Sequence, residues 1–150
     1  MMAFALRLLL TLYGYKVFHK KVRVHGFFKV MNPRNVQIGD NLSINHGVFI
    51  QARNKICLGN NVTLSPYCML LDSGLNVDDI WKSRDYARHI DGTIIIGDGV
   101  WIGGGAIVLS GVSIGPHSVV GAGSVVTKSF PEGVVIAGNP ARVIREVPRL

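Results

Sequence analysis

The sequence predicts an all-β protein that coils as a parallel β-helix, and three features lead to that prediction. An aliphatic residue recurs at every sixth position over much of the chain: Ile96, Ile102, Val108, Ile114, Val120 and Val126. The residue two places earlier is small or aliphatic, and glycine often follows directly, as at Gly97 and Gly103. A six-residue period fits neither an α-helix nor an ordinary hairpin. It fits short strands joined by sharp corners, where glycine adopts backbone angles that a Cβ atom would forbid.

The same six-residue register appears twice upstream, which gives four triplets of short strands in all. The three strands of a triplet close one triangular coil, and the four coils stack on one another. The predicted inward ladders are Ile38–Leu58–Ile96–Ile114, Ile44–Leu64–Ile102–Val120 and Ile50–Leu70–Val108–Val126. β-Branched residues dominate these ladders, as is typical of parallel strands that are buried on both faces. We therefore predict a solenoid of about four main coils.

The ends of the solenoid need caps, and the N-terminal segment supplies one candidate. Residues 1–20 begin MMAFALRLLLTLYGY and predict a short apolar helix, which is followed by the basic stretch KVFHKKVRVHG. Two interpretations stay open: the helix caps the core, or it rests as a peripheral helix on an anionic membrane. Residues 21–150 form the β-helix domain, with a loop insertion at about 73–93. Either interpretation predicts a cytoplasmic protein, in the second case at the inner face of the membrane.

Composition narrows the range of partners. The chain of 150 residues fits one domain, and its net charge of +7 favours phosphorylated cofactors, nucleic acid or acidic lipid. No nucleic-acid-binding motif is recognisable, so we expect no nucleic-acid partner. The two cysteines, Cys57 and Cys68, lie in apolar wall segments. Two cysteines build neither a zinc site nor a disulfide framework, and we expect no metal.

From about Val36 to the C-terminus, some three quarters of its length, the chain resembles a known family. The stretch IIIGDGVWIGGGAIVLSGVSIGPHSVVGAGSVVTKSFPEGVVIAGNPARVIREV closely resembles the hexapeptide-repeat acyltransferases, which include galactoside, maltose, serine, xenobiotic and cell-surface-polysaccharide O-acetyltransferases. The resemblance implies a left-handed coil, a homotrimer, and acetyl-CoA bound between neighbouring subunits. It also implies direct acetyl transfer with a histidine base and a backbone amide that stabilises the oxyanion, without metal or covalent intermediate.

The resemblance further implies which residues bind acetyl-CoA: Trp101, Gly103, Gly104, Gly105, Lys128, Asn139, Pro140 and Arg142. The three glycines leave a corner without side chains, against which an extended pantetheine arm could lie, and their amides could serve as oxyanion donors. Lys128, with Arg142 and Arg145 nearby in sequence, suits the phosphates. A simple turn, a solvated lysine and a wall terminated by Pro140 are the structural alternatives.

The catalytic histidine is not where the galactoside and maltose enzymes keep it, because Leu75 occupies the aligned position. Two candidates remain, and His89 is preferred because it stands at the end of the insertion, shortly before the VWIG coil. His46 is the second: its position matches the base of serine acetyltransferases, although Met31 stands where those enzymes have a partner aspartate. Imidazole accepts a proton near neutral pH, so either residue could act as the base.

The insertion itself, SRDYARHIDG and the residues before it, predicts a functional segment, because long loops in compact domains usually carry function. Trp81 and Tyr86 suggest that it folds against a neighbouring subunit. The candidate acceptor-binding residues are Asn45, Asp72 and Asp85. For each aspartate, capping of a loop is the structural alternative.

These features together predict an acetyl-CoA-dependent O-acetyltransferase that acts on a sugar hydroxyl, within a cell-surface saccharide or its precursor. An amino-sugar N-acetyltransferase and a small-molecule or xenobiotic O-acetyltransferase are the nearest alternatives. A non-catalytic β-helix scaffold is a third, kept open by the missing histidine at Leu75. The metal-dependent carbonic anhydrases of the same fold are disfavoured, because this chain lacks their close histidine pair.

Overall fold

The computed structural model describes residues 2–79 and 88–148, which form one helix and a three-walled parallel solenoid of about five turns. Helix α1 spans Met2–Phe18, and two 3-10 helices span Pro33–Asn35 and Val77–Asp79.

Wall 1 comprises β3 (Val36–Ile38), β6 (Ile56–Leu58), β11 (Ile94–Ile96) and β14 (Ser113–Ile114). Wall 2 comprises β1 (Arg23–Val24), β4 (Ser43–Ile44), β7 (Thr63–Leu64), β12 (Trp101–Ile102), β15 (Val119–Val120), β17 (Val134–Gly138) and the antiparallel β18 (Ala141–Glu146). Wall 3 comprises β2 (Lys29–Val30), β5 (Phe49–Ile50), β8 (Met69–Leu71), β13 (Ile107–Leu109) and β16 (Val125–Val126).

The three predicted inward ladders are confirmed by the strand register. Ile38 pairs with Leu58, Leu58 with Ile96, and Ile96 with Ile114, and the other two ladders pair in the same way. The small residues two places earlier also point inward, since Ser118 and Ser124 are buried. The core is therefore a stack of aliphatic layers with small residues between them.

Within the predicted β-helix domain, the stacked strands begin one partial turn before the first residues of the predicted ladders. Strands β1 and β2 pair in parallel with β4 and β5, so Val24 stacks on Ile44 and Val30 on Ile50. Helix α1 packs beside this turn, where the Tyr13 hydroxyl donates a 2.6 Å hydrogen bond to the Phe28 carbonyl. Within residues 2–79 and 88–148, no helix has both the length and the apolar character needed to cross a membrane.

Three corners join the walls, and each is a column of equivalent residues. Corner A comprises residues 40–41, 60–61, 98–99 and 116–117; corner B comprises 46–47, 66–67, 104–105 and 122–123; corner C comprises 52–53, 72–73, 110–111 and 128–129. In corners A and B the second residue of each pair has φ between +56° and +73°. Its N–H donates to the carbonyl of the first residue one coil earlier, as from Gly105 to Pro66 and from Gly123 to Gly104. These corner bonds hold successive coils together.

The insertion leaves the solenoid at corner C without interrupting the walls. Strands β9 (Ser73–Leu75) and β10 (His89–Asp91) form an antiparallel pair at its base. The wall strands on either side still pair in register, Ile56 with Ile94 and Leu58 with Ile96. The predicted loop at about 73–93 therefore has a paired base, whereas Trp81, Asp85 and Tyr86 lie outside the described residues.

Candidate active site

His89 lies on the paired base of the insertion, directly across from Leu75 in the β9–β10 register. Side chains of directly opposed residues stand on the same face with Cβ atoms about 5 Å apart. The imidazole of His89 therefore stands beside Leu75, the position at which the family resemblance led us to expect a histidine, although His89 comes from the opposite strand. The sequence alone gave no register for this pair.

Ser73 is a partner of His89 that the sequence did not reveal. Its Oγ lies 3.3 Å from Nδ1 of His89, and Ser73 stands two pairs along the same two strands, on the same face as Leu75. When Nδ1 carries the proton, it donates a hydrogen bond to Ser73 Oγ. Nε2 then keeps its lone pair and can accept a proton. His89 is exposed to solvent, so an acceptor can reach that nitrogen. Nothing in the local sequence marks Ser73, because the contact depends on cross-strand register.

His46 stands on corner B, where its ring meets the ring of Tyr67 edge-on with centroids 5.5 Å apart. It is exposed, and so is His117 on corner A. His46 and His89 lie at opposite ends of wall 3, since one precedes β5 and the other follows the exit from β8. One chain therefore does not bring the two candidate bases together.

The three glycines of the GGG corner have different roles. The N–H of Gly103 donates to Val120 (2.8 Å) and the N–H of Gly105 donates to Pro66 (2.9 Å), so both amides belong to the wall. Among the described residues, the N–H of Gly104 has no hydrogen-bond partner. A Cβ added at Gly104 would meet only the Pro66 carbonyl oxygen within 4 Å, at 3.4 Å. Of the three, Gly104 is thus the candidate oxyanion donor.

Corner B continues from Gly104 toward the C-terminal end of the solenoid. One coil later it contains residues 122–123, and beyond them Asn139 and Pro140 form the turn between β17 and β18. Adjacent coils are about 4.8 Å apart, so the Gly104 amide and this turn are separated by about 10 Å. Trp101 lies beside the corner with half of its surface exposed, and its Nε1 donates a 2.7 Å bond to Ser65 Oγ. These predicted cofactor residues share one edge.

The predicted phosphate cations do not form one cluster within the chain. Lys128 lies on corner C, with Nζ 5.7 Å from the centre of the Phe130 ring. Arg142 pairs with Ala137 near corner B, whereas Arg145 pairs with Val135 at the opposite end of the same strand. The reason is topological: β18 turns back along wall 2, which carries residues close in sequence away from corner B.

The predicted acceptor residues separate as well. Asp72 is fully buried, and its two carboxylate oxygens accept hydrogen bonds from the N–H groups of Arg53 (2.9 Å) and Asn54 (2.7 Å). A carboxylate held in this way has no face left for an acceptor, so we correct the prediction: Asp72 closes corner C. The side-chain amide of Asn45, which directly precedes corner B, donates a hydrogen bond to the Leu64 carbonyl (2.9 Å). Asp85 lies outside the described residues.

Cys68 is not a candidate nucleophile. It is fully buried in the wall, and desolvation raises the pKa of its thiol to about 12, so the thiol stays protonated. Within the described part of the chain, no three histidine, cysteine, aspartate or glutamate side chains group as metal ligands.

Comparison with known proteins gives consistent matches. Residues 93–128 match the family model "Bacterial transferase hexapeptide (six repeats)". The chain is 40% identical over 113 residues to the galactoside O-acetyltransferase of Escherichia coli K12, and the match covers 75% of this chain. The chain spans a little over half, 55–57%, of the length of the first curated relatives that it matches.

Two solved structures show the same architecture. A maltose O-acetyltransferase from Clostridium difficile 630 superposes with a TM-score of 0.80 at 35% identity, covering 87% of this chain and 68% of that one. A galactoside acetyltransferase in complex with coenzyme A superposes with a TM-score of 0.77 at 31% identity, covering 95% and 80%. These neighbours are left-handed β-helices, and the predicted left-handed parallel β-helix is thereby confirmed for this chain.

Proposed function

Because the chain belongs to the family of hexapeptide-repeat transferases, we propose that it transfers an acetyl group from acetyl-CoA to a sugar hydroxyl. The observation that carries this proposal is the Gly104 corner. Its amide has no partner within the described residues, and a Cβ built at Gly104 would meet only the Pro66 carbonyl oxygen within 4 Å. Galactoside and maltose are the sugars named for the relatives, and coenzyme A is bound in one of the solved neighbours.

The chain's residues support direct transfer. Nε2 of His89 accepts the proton of the acceptor hydroxyl while the hydroxyl oxygen attacks the thioester carbonyl. The carbonyl oxygen gains negative charge and accepts a hydrogen bond from the Gly104 N–H. When the C–S bond breaks, the imidazolium of His89 returns the proton to the departing thiolate. Ser73 holds Nδ1 throughout, so the imidazole keeps one orientation. His46 is the alternative base.

The complete site requires two copies of the chain. His89 emerges from corner C, whereas Gly104 lies on corner B at the other end of wall 3. Lys128 and Arg142 divide in the same way, one on corner C and one near corner B. If corner C of one copy faces corner B of the next, His89 meets Gly104 and Lys128 meets Arg142 in one groove between the copies. A head-to-tail contact of this kind closes as a ring, and we propose a homotrimer.

The proposed acceptor is a cell-surface saccharide or its precursor, modified in the cytoplasm at the inner face of the membrane. Ile90, on the base of the insertion, is exposed. We place this base at the open side of the proposed groove, where a bulky acceptor can enter. Donor binding is assigned to corner B, with Trp101, Asn139, Pro140 and Arg142.

The proposal is tested by acetyl transfer itself. Purified protein mixed with acetyl-CoA and a panel of sugars is expected to release free thiol without added metal, and a chelator should leave the rate unchanged. Mass spectrometry of the sugar should show one added acetyl group on oxygen. Absence of CoA binding, together with no thiol release with any acceptor, would contradict the proposal.

The two-copy site predicts complementation between inactive variants. His89→Ala removes the base and Gly104→Pro removes the amide N–H, so each variant alone should be inactive. Mixed assemblies, made by co-expression in equal amounts, should recover about one quarter of wild-type activity, because about one site in four combines an intact corner C with an intact corner B.

Each variant expressed alone serves as the control for this mixing experiment. A site confined to one chain would show no recovery on mixing, since every chain then carries a defect. That result would exclude the groove between copies.

A further inference from the structure

Helix α1 has an apolar face that the fold does not use. Leu10, Tyr13, Gly14 and Val17 follow the helical period and face the core. On the other side, Leu8, Leu9, Leu12 and Tyr15 each expose 53–58% of their surface. A helix at the surface of a soluble domain ordinarily places polar residues there, so an exposed leucine face indicates a binding surface.

The charge of the protein is concentrated at the same end. The first 39 residues hold seven of the 16 lysines and arginines and none of the nine aspartates and glutamates, so the rest of the chain is neutral. Lys16 is exposed four residues after Leu12, on the same face of α1. Lys21 and Arg23 are exposed where the chain enters the first turn. Lys20 is the exception, because it pairs with Asp40 at 2.7 Å.

We infer that the exposed face of α1 binds the surface of a membrane that contains anionic lipid. Leucine side chains enter the boundary between headgroups and acyl chains, and the neighbouring lysines and Arg23 contact the lipid phosphates. Charge complementarity favours this occupant, since the surface combines apolar area with positive charge and carries no carboxylate before Asp40. The inference adds a partner, the membrane, to the proposed function. Only the purpose of the contact, which is to bring the protein to its acceptor, rests on that function.

This orientation brings the candidate site close to the bilayer. Wall 2 runs from β1 through β4 and β7 to β12, the strand of Trp101. Three strand spacings amount to about 15 Å. A saccharide carried on a membrane lipid would need to extend only a few sugar units to reach that level.

The experiment is co-sedimentation of the full chain with vesicles of phosphatidylcholine, with and without phosphatidylglycerol. Wild-type protein should bind only the anionic vesicles, and salt should weaken the binding. The double variant Leu8→Gln/Leu12→Gln should lose at least about tenfold in partitioning. Lys16→Gln and Lys21→Gln should each lose about fivefold.

Two variants match these changes elsewhere on the molecule. Ile144→Gln removes an equally exposed apolar side chain (62%) on β18, at the far end of wall 2, and Lys55→Gln removes a distant exposed charge. Both should bind like the wild type. Circular dichroism should show that the leucine variant keeps the fold, and its thiol release with a soluble sugar should be unchanged.

Two results would overturn the inference: wild-type protein that does not bind anionic vesicles, or a leucine variant that still binds them. If that variant also forms an assembly of lower mass, the face contacts a second copy of the chain. Failure of the proposed function is distinct, because it would abolish thiol release in every variant.

Discussion

Replacing His89 by alanine is expected to lower kcat by about 10²–10⁴-fold, the usual contribution of a positioned general base. Affinity for acetyl-CoA should stay unchanged, because we propose that the donor lies along corner B, whereas His89 stands on the insertion. Steady-state kinetics with a saturating acceptor and calorimetric titration of CoA measure the two effects separately. The exposed position of His89 means that the substitution should not affect folding.

The matched control is His46→Ala, which removes another exposed imidazole and its contact with Tyr67. We expect it to retain turnover near the wild-type value. If His46→Ala is inactive and His89→Ala is not, the base is on corner B and our assignment is wrong.

Replacing Gly104 by proline is expected to lower kcat by about 10²–10³-fold, because it removes the one uncommitted amide of the GGG corner. The fold should tolerate proline there, since Pro66 occupies the equivalent place on corner B one coil earlier. The thermal unfolding midpoint should therefore remain close to that of the wild type while turnover falls.

Gly104→Ala is the matched control, because it adds a Cβ but keeps the N–H. Alanine already stands at the next equivalent position, Ala122, and the added atom would lie 3.4 Å from the Pro66 oxygen. Loss of activity as severe as that of Gly104→Pro would mean that space at the corner, and not the amide, limits the reaction.

The three ladders from Ile38 to Val126 could be predicted to the residue from sequence, because the six-residue period sets their register. Within a triplet each inward residue lies six positions from the next, and the triplets are offset by two extra residues after Ile50 and by twenty after Leu70. The first turn was missed because β1 and β2 supply only walls 2 and 3, and Val24 and Val30 alone are too short a series to establish a period.

The candidate site could be predicted only in part, because its contacts depend on register outside the repeat. His89 and Leu75 meet through two three-residue strands that no periodicity specifies. Gly104 differs from Gly103 and Gly105 only because the carbonyls of neighbouring coils bond the other two amides. The role of Asp72 likewise comes from Arg53 and Asn54, which lie one coil away.

The uninterrupted register of wall 1 across the insertion has an evolutionary consequence. Ile56 pairs with Ile94 one coil later as though the insertion were an ordinary corner, and Asp72 closes the corner at which the insertion leaves the solenoid. The part of the insertion between β9 and β10 can therefore vary in length and composition without rebuilding the scaffold or removing His89. Divergence within such a lineage would change the choice of acceptor while the surface that receives the donor is inherited intact.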